Sequence, residues 1–576
     1  MRVVAALAIA AVAACTPSPQ VEYDDRSDAI LGQVRALADR GPRPGDTAQS
    51  EAALAYIEHQ LDAAGIAHVR EPVGTVELPA IDAMGTHVRS ASRVTSRDPN
   101  LVVRLGPAGG HALLVMAHYD SVPASPGAVD NAAAVGVLIE LARVLAASPP
   151  PQPVILVFTA NEERGLVGAE ALADHHAGEI GFAIALDLVG GTGALTLNGA
   201  SELVGRAELA WIAAAADRAG VIVRAPPPHR VISRRWPQLE RSDHGAFTRR
   251  GVRAVHFYHR GQDGDWIDLA YHSERDTTAR VDRRAVADQL NLLRALASSP
   301  IPPHAGDGFW LPVVANTVVP RWTLVLACLV LAAGALALLR RLPTRTIARD
   351  RPRLGLAAGL GCFVVAALAT YAIERGVSGD HPAPWLHAPS SWLAGETLVL
   401  AGVLGLVTRL VARWWPWTGE RRYTVVATLV PLAIGLLLLA AGAAELAWIW
   451  IVPAVFGALA PRLGRFGLPC VLALAAPAIL VLWPAQLREA AWNGFLPGAL
   501  PLIAWIAVLG APAFAGLAAY LRAHPYAGPL GTLVLPLGCA LAIVVGIGVL
   551  ANAPRPCSRS QFQQFQLACE ARPGVH

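Results

Sequence analysis

The chain has 576 residues, of which 54% are hydrophobic and only 16% charged, which excludes an ordinary soluble protein of this length and implies a membrane component. Its formal charge of +4 rests on arginine alone, because the sequence contains no lysine, and many of those arginines sit in short loops between apolar runs. Membrane orientation accounts for them better than nucleic acid does. The bias toward Ala, Gly, Pro and Arg reads as the coding habit of a genome rich in G and C, and points to a bacterial source.

Arg2 precedes an apolar run from Val3 to Ala14, followed by Cys15 and a polar stretch to Gln20. As a helix that run would reach about 18 Å, short of the roughly 30 Å hydrocarbon core, so a signal segment is expected over residues 1–20. Val12-Ala13-Ala14-Cys15 also resembles a bacterial lipoprotein cleavage site, and an uncleaved signal anchor is the alternative. Each reading exports the 300 or so residues that follow.

Helical periodicity runs from Ala29 to Arg40 and from Gln49 to Ala64, after which short β-rich and helix-like runs alternate. Strands are predicted at Ala112 to Ala117, Val154 to Thr159, Phe182 to Asp187 and Arg253 to Phe257. Helices are predicted at Asn131 to Ala147, Gly168 to His175, Glu202 to Ala219 and Val281 to Ala297. Near-continuous apolar strands alternating with helices predict an α/β fold over residues 21–300: a mostly parallel, doubly wound sheet with helices on both faces. In such sheets, functional groups gather beyond the carboxyl ends of the strands.

Five candidate metal ligands fall in order along the chain, His118, Asp130, Glu163, Asp187 and His272, with Glu162 beside the third; His118, the Glu162-Glu163 pair and Asp187 follow that rule at three successive strands. Two imidazoles and three carboxylates form a nitrogen and oxygen set suited to a pair of zinc ions, one carboxylate being able to bridge them. Singly, His118-Tyr119-Asp120 or Glu162-Glu163 would be weak signals. Their joint placement at successive strand ends is the strong one. His175 and His176 read as a solvated helix end, while His256 and His259, given no role, flank a strand end and lead into a loop from Gly261 to Asp268 placed to shape a substrate pocket.

The stretches Ala117 to Ser121, Gly127 to Asn131, Asn161 to Leu166, Ala185 to Asp187, Ser242 to Phe247 and Tyr271 to Thr277 together resemble the M28 family of metallopeptidases, the aminopeptidase-like hydrolases with two zinc ions. The resemblance implies that Asp130 bridges the ions, that His118 and Asp187 complete one, and that Glu163 and His272 complete the other. It makes Glu162 the general base and Asp120 the residue that orients the His118 imidazole. Asp243 and His244 fall near the implied pocket, as substrate contacts or as a supporting pair. A peptide is the implied substrate; carboxypeptidases and glutaminyl cyclases also occur in the family. A binding or scaffold protein with an inactive peptidase domain is the reading from another class.

A Pro-rich linker over 301–321 leads to eight further apolar stretches over 322–550: Trp322 to Leu339, Gly355 to Ile373, Trp392 to Val411, Tyr423 to Ala441, Ala443 to Ala460, Gly467 to Trp483, Gly498 to Leu521 and Leu530 to Leu550. Each approaches the roughly 20 residues of a spanning helix, so an all-α polytopic membrane domain in a lipid bilayer is predicted. Arg340 to Arg353, Arg409 to Arg422, and Arg462, Arg465 and Arg522 would lie on the cytoplasmic side. The opposite side holds fewer, which sets the exported domain and the tail at 551–576 outside a bacterial inner membrane. Glu396 and Glu445 are expected at the outer interface, facing water. Cys328, Cys362, Cys470 and Cys539 lie in apolar segments, whereas Cys557 and Cys569 share the tail and could pair in an oxidising compartment. Transport by the helices of released amino acids is a third possibility for this half.

Overall fold

The computed structural model describes residues 25–83, 86–225, 231, 233–234, 240, 242–259, 270–311, 314–341, 352–378, 389–414, 420–459 and 528–553. The expected signal segment, the Gly261 to Asp268 loop, the sixth and seventh apolar stretches, Cys470 and the tail cysteines lie outside the described residues. The chain divides into two compact units, Met1–Pro320 and Arg321–His576.

The first unit opens with α1 (Ser27–Ala38) and α2 (Ala48–Asp62). Ile30, Val34 and Leu37 form the buried stripe of α1, and Leu54, Ile57 and Leu61 that of α2. Thr47 caps α2 reciprocally with Ser50. The strands are β1 (His68–Glu71), β2 (Gly74–Leu78), β3 (Ile81–Ala83), β4 (Thr86–Arg89), β5 (Ser92–Ser96), β6 (Asn100–Leu105), β7 (Ala112–His118), β8 (Val154–Thr159), β9 (Ile180–Leu186), β10 (Leu195–Asn198), β11 (Val223–Arg224) and β12 (Ala254–His259), followed by the hairpin pair β13 (Gly308–Trp310) and β14 (Val318–Pro320). Between and after them run α3 (Ala133–Ala147), α4 (Val167–His176), α5 (Arg206–Ala219), α6 (His244–Arg249) and α7 (Arg283–Ala297).

Eight strands form one sheet in the order β1-β6-β8-β7-β9-β12-β10-β11. Strands β8, β7, β9 and β12 are mutually parallel, while β1, β6 and β10 pair antiparallel to their inner neighbours. The sheet is therefore mixed: parallel at its centre, as expected, with antiparallel pairings toward its sides. The antiparallel pairings involve β1, β6 and β10, in stretches that apolar periodicity did not resolve. The central strands are buried on both faces. Leu113, Val115 and Ala117 of β7 join a core built with α1, α2, α3, α5 and α7. Ala112, Leu114 and Met116 join a second core with α4 and α6. Complete burial of each such leucine or valine contributes about 1.5–3 kcal/mol, which explains the unbroken apolar runs.

Three predicted helix starts move inward. The helix expected from Val281 begins at Arg283, where Asp282 caps it. The helix expected from Asn131 begins at Ala133, because residues Ala128–Ala132 wind as a wide turn with non-helical dihedrals at Asp130 and Asn131. The helix expected from Glu202 begins at Arg206, where the Glu208 carboxylate accepts from the Gly205 amide at 3.0 Å.

The second unit has six helices among its described residues: Arg321–Arg340, Pro352–Ser378, Pro389–Trp414, Glu420–Ala440, Ala444–Leu459 and Gly528–Asn552. They coincide with six of the eight apolar stretches. Two described segments, Arg321–Arg340 and Ala394–Val411, are long and apolar enough to cross a membrane. Small residues let the helices approach: Cys328, Ala332 and Ala335 pack against Ala447, Ile451 and Ala454. A Cβ on Gly546 would lie 2.7 Å from the Gly395 carbonyl oxygen.

Glu396 and Glu445 do not face water as expected; both are fully buried. Glu445 accepts from Arg321 Nε at 2.7 Å and Nη2 at 3.0 Å, a partner 124 positions away that hydropathy alone cannot reveal.

One close approach in the first unit is directly testable. Gly168 donates to the Ala160 carbonyl at 2.8 Å, while Asn100 accepts from Ala160 N at 3.0 Å and donates to Gly168 O at 2.9 Å. A Cβ at Gly168 would sit 2.5 Å from both Ala160 O and Asn100 Oδ1. Gly168→Ala is expected to cost about 1–3 kcal/mol of stability. Thermal unfolding of the full-length protein measures this, and an unchanged midpoint would refute the packing.

Candidate metal centre

Three adjacent parallel strands, β8, β7 and β9, end on the same side of the sheet. His118 is the last residue of β7, Asp187 follows β9, and Glu162 and Glu163 lie on the short turn after β8. Asp130 comes from the wide turn that opens α3, and His272 from the loop ahead of α7, at φ 56°. The Asp130–Asn131 peptide bond is cis.

All five expected ligands converge. His118 Nε2 lies 3.2 Å from Asp130 Oδ1 and 3.7 Å from Asp187 Oδ1. His272 Nε2 lies 3.2 Å from Asp130 Oδ2 and 3.2 Å from Glu163 Oε2. Asp130 thus presents one oxygen to each imidazole. Ligand atoms of His118, Asp130 and Asp187 fall within 4.8 Å of one another, as do those of Asp130, Glu163 and His272, and those of His118, Glu162 and Glu163.

Asp120 is fully buried and reaches further than its expected contact with His118. His118 Nδ1 lies 3.4 Å from its Oδ1 and 3.2 Å from its carbonyl oxygen, while the two carboxylate oxygens accept the amides of Glu162 at 3.1 Å and Glu163 at 3.3 Å. One side chain therefore couples the β7 and β8 loops.

Asp276, which sequence reasoning passed over within Tyr271 to Thr277, does the same for Asp130. Its carboxylate accepts from Val129 N at 2.8 Å and Asp130 N at 3.1 Å. Asn131 Nδ2 donates to Leu186 O at 2.8 Å, tying this turn to the end of β9. Gly127 adopts φ 63°, and a Cβ there would meet Asp130 O at 2.4 Å.

Asp243 and His244 separate in role. Asp243 is buried and accepts from Thr159 Oγ1 at 2.5 Å, at the end of β8 and within electrostatic reach of His118. His244 turns to Glu240 Oε2 at 3.0 Å and stacks on His256, with ring centroids 5.5 Å apart. His176 ends α4 with Nε2 2.7 Å from Glu71 Oε1, away from the cluster.

The electrostatics follow from burying several carboxylates together. Burial pushes the Glu163 carboxyl up to about 7, and Asp130 adds to the rise. Burial likewise raises Glu162 well above its ordinary value, beside Asp187, Glu163 and Asp243. Burial opposes charge on His272, yet Asp130 and Glu163 outweigh it and lift the imidazole to about 10. His118 rises against its own burial through Glu162, Asp120, Asp130 and Asp187. The potential here favours cations. His118 Nε2 and both ring nitrogens of His272 are buried without a hydrogen-bond partner. Imidazole nitrogens turned toward carboxylate oxygens rather than bonded to them form a donor set that fits a pair of divalent metal ions, zinc foremost.

Residues 100–297 match the profile of Peptidase family M28. The aminopeptidase YwaD of Bacillus subtilis (strain 168) is 29% identical over 194 residues, 31% of this chain and 39% of that protein. A vacuolar membrane protease of Candida albicans (strain WO-1) is 44% identical over 78 residues, 13% of this chain and 9% of that protein. The chain thus spans well under two thirds of either relative. Among solved structures, BSAP, a zinc aminopeptidase from Bacillus subtilis, aligns with TM-score 0.39 and 16% identity over 48% of this chain and 95% of that one. Over residues 100–297 the chain is therefore similar to M28 peptidases, and the likeness covers about a third of its length.

Asp276 gives the test of how the Asp130 turn is held. Asp276→Asn leaves one acceptor where two amides need one, so a loss of about 1–3 kcal/mol is expected. Chemical unfolding and metal analysis of the full-length variant measure it; unchanged stability and metal content would rule the role out.

Proposed function

We propose that this chain is a membrane-anchored metallopeptidase with two zinc ions, acting as an aminopeptidase on peptides outside the cytoplasm. The observation that carries the reading is Asp130, whose two carboxylate oxygens each stand 3.2 Å from a different imidazole. His118 and Asp187 would hold one ion, Glu163 and His272 the other, and Asp130 both.

When bound, two zinc ions polarise the scissile carbonyl and lower the pKa of water to give a nucleophile near neutral pH. The remaining work belongs to side chains. Glu162 lies beside the ligand Glu163 and within reach of His118, and its burial among other carboxylates raises its proton affinity, as a general base requires. Its carboxylate would take the proton from water and return it to the leaving amine nitrogen. Asp120 would keep the His118 ring oriented through Nδ1 and hold the Glu162 amide in register. Asp243 and His244 are assigned to the support of the pocket.

The proposed layout is a signal segment or anchor at 1–20, the peptidase domain at 21–300, a linker at 301–321, a helical membrane domain at 322–550 and an external tail at 551–576. Two apolar segments of spanning length and the arginine bias of the loops support the membrane part.

Purified full-length protein, assayed against aminoacyl and N-blocked peptides with metal analysis and chelator controls, tests the reading. Cleavage that requires a free amino terminus and two metals per chain is expected. Cleavage of blocked peptides alone would redirect the assignment to a carboxypeptidase or endopeptidase, cyclisation of amino-terminal glutamine to a glutaminyl cyclase, and metal without turnover to a binding protein. Glu162→Gln should keep its metal and lose about 10²–10⁴-fold in turnover, whereas Asp130→Ala should lose metal. Normal turnover in Glu162→Gln would sink the base assignment.

A further inference from the structure

Residues 41–46, Gly-Pro-Arg-Pro-Gly-Asp, link α1 to α2 and lie outside the segment that matches the peptidase family. Nothing in their composition suggests a part in the chemistry. In the fold, however, they touch three of the loops that carry the candidate ligands.

Arg43 is 3% exposed. Its Nε donates to Tyr119 O at 3.1 Å, between His118 and Asp120. On the other side, Nη1 donates to Pro126 O at 2.5 Å and Nη2 to Gly127 O at 3.0 Å, on the turn that delivers Asp130. The Arg43 backbone adds a reciprocal pair with Ser121, its amide donating to Oγ at 2.9 Å and its carbonyl accepting from the Ser121 amide at 3.1 Å. A planar guanidinium with fixed donor directions sets the distance between the two loops in a way that a flexible ammonium would not.

Asp46 grips the third loop. Its Oδ1 accepts from Asn161 Nδ2 at 3.3 Å and from the amides of Arg97 at 2.8 Å and Asp98 at 3.1 Å; Oδ2 accepts from Arg164. Asn161 and Arg164 bracket Glu162 and Glu163. The seat is tight, since a Cβ on Gly45 would lie 1.7 Å from Asn161 Oδ1. A guanidinium buried among four acidic groups, Asp276, Asp120, Asp130 and Glu163, also supplies a fixed positive charge behind the cluster.

We propose that the segment Arg43 to Asp46 is a positioning clamp that sets the spacing of the two metal sites, Arg43 locking the His118 loop to the Asp130 turn and Asp46 locking the Glu162 and Glu163 turn to both. The clamp rests on the two-metal reading above. Arg43 touches no ligand side chain; it acts through the backbone on which the ligands stand.

Cobalt is the probe, because its absorption spectrum reports ligand geometry directly. Full-length wild type, Arg43→Met and Arg143→Met are titrated with cobalt and melted in parallel. Arg143, which donates to Glu140 and Gln60 remote from the cluster, is the control for lost buried hydrogen bonds in general. Wild type should take up two cobalt ions. Arg43→Met should bind them about 10–100-fold more weakly with an altered spectrum, while Arg143→Met should lose thermal stability but keep wild-type affinity and spectrum. Should Arg43→Met fail to fold, Arg43→Lys serves instead, with an intermediate loss of affinity expected. A folded Arg43 variant with wild-type affinity and spectrum would overturn the clamp, as would Arg143→Met weakening cobalt equally. Wild type that binds no cobalt would overturn the two-metal reading itself, a different failure.

Discussion

The constraint on which the first unit turns is the confinement of several carboxylates in a small buried volume at one end of a sheet. Asp120, Asp130, Glu162, Glu163, Asp187, Asp243 and Asp276 meet there, and like charges out of water repel strongly. Each is held by an identifiable device. Backbone amides meet Asp120 and Asp276, a hydroxyl meets Asp243, and two imidazoles and one buried guanidinium share the rest of the charge. Bringing these groups together is costly, which is why the chemistry of the site and the stability of its loops are one subject.

Supply of these groups follows the architecture. Parallel strands β8, β7 and β9 bring three loops to one edge without long excursions, and helices α3 and α4 begin there. The flanking antiparallel strands widen the sheet without contributing an expected ligand. Gly127 and Gly168 are used where backbone must approach backbone too closely for any side chain.

Much of this was legible from the sequence because two signals coincided. Apolar runs long enough to be buried on both faces marked β7, β8 and β9, and chemically matched residues followed each one. His118, Glu163 and Asp187 converge for that reason, while Asp130 arrives from the turn that opens α3 and His272 from the loop ahead of α7. Contacts carried by backbone carbonyls were illegible: Arg43 reaches Pro126 and Gly127 across more than 80 positions, and no residue type at those places advertises it. Asn131 and Ala132, the end of the wide turn, were read as helix because an apolar helical run follows them directly. The antiparallel edge was missed since β1 is four residues long and mostly exposed. Glu445 misled because an acid near a span's end normally faces water, and only the fold supplies Arg321.

The burial of β7 on both faces has a kinetic consequence. His118 closes a strand whose seven residues are all inaccessible and which lies between two other buried strands. Segments of that kind exchange their amide hydrogens only when the whole domain opens, whereas surface loops open individually. The imidazole is thus anchored to a part of the first unit that opens slowly. Release of its ligand atoms by thermal fluctuation is tied to the lifetime of the entire sheet rather than to the breathing of a loop.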